Sequence, residues 1–137
     1  SAALCSKSDH IYTFSIHGKN NYPLHKQCSD IDIELDDGTK DVNYLNELKM
    51  GLERIMKHFE PSFIFYQAGV DVLESDKLGK LSVSIDGCRE RDKFILNYCK
   101  SNKIPIQISM GGGYSPDINT IVDAHANTFR LVQEIFF

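Results

Sequence analysis

The sequence predicts an α/β fold built on a mainly parallel sheet, and three observations carry that prediction. Runs rich in β-branched and aromatic residues alternate with longer stretches whose apolar residues recur at helical spacing, the order that right-handed βαβ crossovers produce. The strand-like runs stop at glycine or other turn residues. At 137 residues the chain has the size of one domain, able to bury roughly 68% of its unfolded surface.

Composition narrows the function classes. A net charge of −4 offers no broad positive surface to nucleic acid. No apolar run approaches a membrane span of about 18 residues. Ser1–Cys5 lacks the charged and apolar regions of a signal peptide, so none is expected. Cys5, Cys28, Cys88 and Cys99 form no C-x-x-C pair and read as reduced thiols of a cytoplasmic protein. Cys88 and Cys99 fall on a predicted helix and read as packing residues.

Taken in order, His10–Ile16 is dense in β formers and reads as a strand. Gly18, Asn20, Asn21 and Pro23 then punctuate a loop. Ser29–Leu35 alternates polar and apolar residues, as a half-exposed strand does. Asp41 reads as the N-cap of a helix bearing Tyr44, Leu48, Leu52, Ile55 and Phe59 on one face, ended by Pro61. Ser62–Gln67 is the next strand and runs out in Ala68-Gly69. Asp71 and Glu74 have the D-x-x-E spacing of a helix-start cap. A second long helix is predicted over 86–102, with Ile95 and Cys99 inward and the charged run Arg89–Asp92 on a solvated face. Lys103–Ser109 reads as a strand, Met110–Pro116 as its loop and Asp117–Phe136 as the last helix.

In a parallel sheet the loops 17–23, 68–79 and 110–116 share the carboxyl edge, where ligands and chemistry gather. Asp76 suits either a surface turn or a carboxylate ligand to a divalent metal, which wants a hard oxygen donor. Gly111–Gly113 lacks the lysine and spacing of a phosphate-binding loop. Tyr114 is either a packed aromatic or a phenol placed to donate to a developing oxyanion. His17 reads as hydrogen-bonded structure or as a metal ligand. His10, His25 and His58 read as surface residues and His125 as a packing histidine.

The stretch Tyr66–Gly79, with its A-G-x-D-x-x-x-x-D-x-L-G pattern, resembles the third metal-ligand loop of the zinc-dependent histone deacetylases. Met110–Ser115, with its G-G-G-Y motif, strengthens the resemblance, as do Arg89–Asp92 and Asp36–Thr39. The likeness is nearest to bacterial and class IV-like members and covers essentially all of 1–137. It implies the arginase/deacetylase three-layer α/β/α sandwich. It also implies that Asp76 is a zinc ligand and Tyr114 the transition-state donor. Tyr22, Gly112 and Gly113 would shape the acyl-lysine tunnel, with Val83 near its rim. Ser15 and Ile16 would sit where the family often holds a structural potassium ion. The substrate implied is an acetylated lysine peptide or protein, with neither nucleic acid nor membrane as a direct partner.

The family's other two zinc ligands lie in a D-x-H strand end, and its histidine base pair comes earlier. Neither motif occurs here. Residues 1–137 are therefore expected to be the C-terminal portion of one catalytic domain, inactive alone because catalytic zinc usually takes three protein ligands. Such a piece would pair with the rest of its domain or self-associate through a sheet edge. Two alternatives stand beside this reading: an acetylpolyamine or other small-amide hydrolase on the same scaffold, and a non-catalytic binding or assembly module.

Overall fold

The structure, a computed structural model, describes residues 2–137. Its elements are α1 (Ala2–Cys5), β1 (Phe14–Gly18), β2 (Ile31–Leu35), α2 (Asp41–His58), β3 (Ile64–Gly69), α3 (Ile85–Asn102), β4 (Ile106–Gly111) and α4 (Ile118–Phe136). All strand pairing is parallel, as expected, but it does not form one sheet. β1 pairs with β2 and β3 pairs with β4, in two separate two-stranded sheets. What joins the two pairs is side-chain packing: Phe14, Ile33, Ile64 and Ile106 contribute to the same apolar cluster as Leu48 and Leu52 of α2 and Ile95 of α3.

Alternation along the strands decides their faces. On β1 and β2, Ile16 and Ile33 pack inward, while Ser15, His17, Asp32 and Glu34 share the other face. On β3, Ile64 and Tyr66 pack inward, leaving Phe65 80% exposed, its ring tilted against that of Phe63 with centroids 4.9 Å apart. A second cluster lies beneath the carboxyl ends of the strands, with Val70, Leu73, Leu81 and Val83 fully or nearly sealed from water beside Tyr44 and Ala124.

Several boundaries differ from the sequence reading. β1 starts at Phe14 because Asp30 takes both the backbone N–H and the hydroxyl of Thr13, at 2.7 Å each. It runs on to Gly18, which puts His17 in the strand and not in the loop. β3 and β4 each extend to a glycine, Gly69 and Gly111, which face one another in register. Asp41 is the first residue of α2, not its cap. Its carboxylate instead accepts from the backbone N–H (2.7 Å) and hydroxyl (2.6 Å) of Ser84. Ser84 is the N-cap of α3 and accepts from Gly87 N. No helix starts at Asp71: the D-x-x-E segment lies in a packed turn, where the Glu74 N–H donates to Val83 O. Val83 is buried.

The largest departure concerns the charged run at the start of α3. Arg89 and Glu90 face outward, but Arg91 and Asp92 are 4% and 1% exposed. Asp92 Oδ1 accepts from Tyr66 Oη (2.5 Å) and Arg91 Nε (2.8 Å), and its Oδ2 accepts from Thr128 Oγ1 (2.7 Å). Arg91 Nη1 donates to the carbonyl of Gly69 at 2.6 Å. One buried network thus ties β3, α3 and α4 together. Removing Asp92 would strand a buried guanidinium and two hydroxyls. Asp92→Ala is expected to cost about 3–5 kcal/mol, read as a lowered urea midpoint; an unchanged midpoint would show the network to be dispensable.

The thiols sort by burial. Cys28 is exposed, whereas Cys88 and Cys99 are buried and held by desolvation at pKa values of about 11. Since the thiolate is the nucleophile, Cys28 should alkylate readily at pH 8, and Cys88 and Cys99 only once denaturant unfolds the chain. Mass spectrometry of native and unfolded samples checks this.

Candidate active-site edge

The ends of β3 and β4 carry two loops, and Asp76 binds them together. Its Oδ1 accepts from the N–H groups of Leu78 (2.9 Å) and Gly79 (2.7 Å), which closes its own loop. Its Oδ2 accepts from the N–H of Tyr114 at 2.6 Å, across to the loop after β4. Ser75 and Ser115 add a hydroxyl contact of 2.6 Å between the same loops. Asp76 is therefore not a free surface aspartate. It is a carboxylate fixed by three backbone donors.

Gly112 and Gly113 make that junction possible. Their φ values are +62° and +107°, in the region that favours glycine. A Cβ on Gly112 would lie 2.5 Å from Asp71 Cγ, and one on Gly113 would lie 2.9 Å from Val70 and Ile121. Asp71 sits in this tight space beside Asp76. Desolvation, the main cause, raises its pKa and the Asp76 charge adds to the rise, while Arg91 and His125 oppose it. Tyr114 itself is 51% exposed, so its phenol is open to a ligand.

The remaining sequence-predicted residues sit on β1 and the loop that follows it. Among the described residues, no hydrogen bond joins Tyr22, Ser15 or Ile16 to the Asp76–Tyr114 edge. Tyr22 is 85% exposed, on a loop held by Lys26, whose Nζ donates to the carbonyls of Lys19, Asn21 and Pro23. Ser15 Oγ shares a 2.8 Å hydrogen bond with His17 Nδ1, and Ile16 packs between the two apolar clusters. His17 Nε2 is buried without a hydrogen-bond partner, and burial lowers the pKa of the ring.

Asp76 has the chemistry of a metal ligand: a hard oxygen donor set by backbone hydrogen bonds. An ionised carboxylate offers about four lone-pair sites, and three donors are counted here, so Oδ2 keeps room for one more partner. Among the described residues, however, no group of three or more His, Cys, Asp or Glu side chains is gathered to hold a metal. These residues fit the role of contributing one ligand, not of forming a whole site.

The histone deacetylase domain family matches residues 1–129. The chain belongs to the histone deacetylase family. It is 35% identical over 126 residues to an uncharacterized protein of Picosynechococcus sp., covering 92% of this chain and 42% of that one. It is 30% identical over 124 residues to histone deacetylase 2 of Arabidopsis thaliana, covering 88% and 32%. The chain thus spans well under half the length of these relatives. Among solved structures it resembles an HDAC homolog complexed with SAHA, with a TM-score of 0.74 and 20% identity, covering 96% of this chain and 37% of that one. It also resembles acetylpolyamine aminohydrolase from Burkholderia pseudomallei, with a TM-score of 0.68, 20% identity and coverage of 88% and 36%. At such identities the likeness is one of fold, and the fold is that of deacetylase domains, here a partial one.

The sequence reading put Arg91 and Asp92 on a solvated face and gave Tyr66 and Thr128 no polar role, yet the four underlie this edge. A signal was present. Cys88, Arg91, Asp92, Ile95 and Cys99 recur at helical spacing, which puts the two charges on the buried stripe of α3.

A pH dependence follows from Asp71. Its pKa is raised on folding, so the protonated form is favoured in the folded state. That contribution is fully present below the ordinary value of 3.8 and is lost as pH rises through the folded pKa. Asp71→Asn escapes the loss. Relative to the parent, the stability of this variant should improve between pH 3.5 and 7, as read from urea midpoints. Parallel profiles would mean Asp71 is not desolvated.

Proposed function

We propose that this chain serves, within a longer histone deacetylase domain, the metal-dependent hydrolysis of an acetyl-lysine amide. The observation that carries the reading is the single carboxylate of Asp76, fixed by backbone donors from both loops, with Tyr114 supplying one of them. A ligand and a phenolic donor are thereby held in one register at the carboxyl edge of parallel strands, where α/β folds place their chemistry.

In this reading Asp76 is one ligand to zinc, which when bound supplies Lewis-acid chemistry; the remaining ligands come from outside the cluster described here. Tyr114 donates its phenolic hydrogen bond to the oxygen of the acetyl carbonyl as negative charge develops there. Gly112 and Gly113, which present backbone without side chains, let an extended acyl-lysine chain approach that phenol closely. Tyr22 forms an aromatic wall from the loop after β1. Ser15 and Ile16 would offer a hydroxyl and a carbonyl to a structural potassium ion.

Removing one oxyanion donor typically costs about 10²–10³ in kcat. In the full-length protein, Tyr114→Phe should lower kcat on acetyl-lysine peptides by about that factor while zinc affinity stays at the parent value. Turnover equal to the parent would remove Tyr114 from the mechanism. The same assay with acetylated polyamines separates the substrate classes: preference for them over peptides would assign the chain to small-amide hydrolysis.

A further inference from the structure

We propose that Arg91 is a positioning residue for the Asp76–Tyr114 edge, clamping the Gly69 carbonyl at the point where β3 gives way to the acidic loop. Gly69 is the last residue of β3 and stands in register with Gly111, the last residue of β4. The Val70 N–H donates to Gly111 O at 3.0 Å, so the two strand ends form one node. From that node leave the two loops that Asp76 joins. Arg91 Nη1 reaches the node directly, at 2.6 Å from Gly69 O.

The guanidinium is itself held by two groups, Asp92 and Tyr66. Its Nε donates to Asp92 Oδ1, and its Nη2 lies 2.8 Å from the same oxygen without the angle of a hydrogen bond. Its Cζ sits 5.9 Å from the centre of the Tyr66 ring, in cation–π range. Asp92 in turn is fixed by Tyr66 and Thr128. The strand end is therefore fastened to α3 and α4 by a planar group whose fork geometry a lysine does not reproduce.

Stability alone does not explain a charged pair here. Buried ion pairs replaced by apolar residues of similar volume are often as stable or more so. What this pair adds is a directional bond to one carbonyl, next to the loop that sets the depth of Asp76. The proposal rests on the reading of Asp76 as a metal ligand, and its test separates the two.

In the full-length protein, Arg91→Lys and the neutral double variant Arg91→Met/Asp92→Asn are compared with the parent. The second removes both charges yet leaves Tyr66 and Thr128 a side-chain partner. Hydrogen exchange is followed in metal-free protein at the amides of Gly79 and Tyr114, which donate to Asp76, and of Leu96 and Cys99 in the core of α3. Protection should be lost at Gly79 and Tyr114 and kept at Leu96 and Cys99, and affinity for Zn²⁺ should fall about tenfold, as for an outer-shell partner. Parental protection at Gly79 and Tyr114 overturns the proposal. So does its loss only together with Leu96 and Cys99, or failure of both variants to fold, since the pair then serves the stability of the domain. Asp76→Ala is the separating arm: unchanged Zn²⁺ affinity there removes the metal-ligand reading, whereas the exchange result is decided without metal.

Discussion

Asp92 receives hydrogen bonds from Arg91, Tyr66 and Thr128 inside a region that water does not reach, and much of the architecture follows from that single carboxylate. An ion taken out of water costs several kcal/mol even after the protein relaxes. The cost is met only if each charge finds close partners in good geometry. Asp92 has them on both oxygens, from a strand, from its own helix and from the last helix. These three elements can therefore dock in one arrangement only. A slip of α3 by one residue would withdraw the acceptor from Tyr66 and Thr128 together. The pKa of Tyr66 is raised far above its usual value: desolvation is the main cause, Arg91 opposes it and the Asp92 carboxylate adds to it, so the phenol stays protonated and remains a donor.

Much of this was legible in the sequence. The order of strands and helices, their parallel sense, and the gathering of Asp76 with Tyr114 all came from runs, periodicity and glycine motifs. The boundaries were less legible, for physical reasons. Thr13 looks like strand, but Asp30 takes its donors from 17 residues along the chain, a competition that composition does not reveal. Asp41 looks like a cap, and a carboxylate at that place does favour a helix start. Its partner, Ser84, lies 43 residues on and is visible only once α2 and α3 have packed. The D-x-x-E of Asp71 and Glu74 failed for a related reason: Val70, Leu73 and Val83 bury so completely that the segment folds onto the core as a turn. Tertiary burial overrode a local capping signal.

The charged run at 89–92 teaches a narrower lesson. Charges near a helix start usually face solvent, and half of this run does. Helical periodicity gives the other half away, because Arg91 and Asp92 occupy the same stripe as Cys88, Ile95 and Cys99. When composition and period disagree, the period states where a side chain must go. The composition then states what the fold has to supply there, in this case a tyrosine, a threonine and a free carbonyl.

The division of labour proposed for Asp76 and Tyr114 has the same logic. A metal ligand is useful only at fixed depth, and Asp76 takes its three bonds from backbone amides, which move only if the chain moves. A transition-state donor needs a fixed anchor and an open tip. Tyr114 has its anchor through the amide bound to Asp76 and its tip in the phenol, half exposed. Because the anchor of one is the acceptor of the other, a shift of either loop displaces both groups in the same sense, so their spacing survives small motions better than their absolute positions do. That coupling is why the strand ends beneath the loops matter. Gly69 and Gly111 set where both loops begin, and a displacement there moves the pair as a unit relative to whatever it faces.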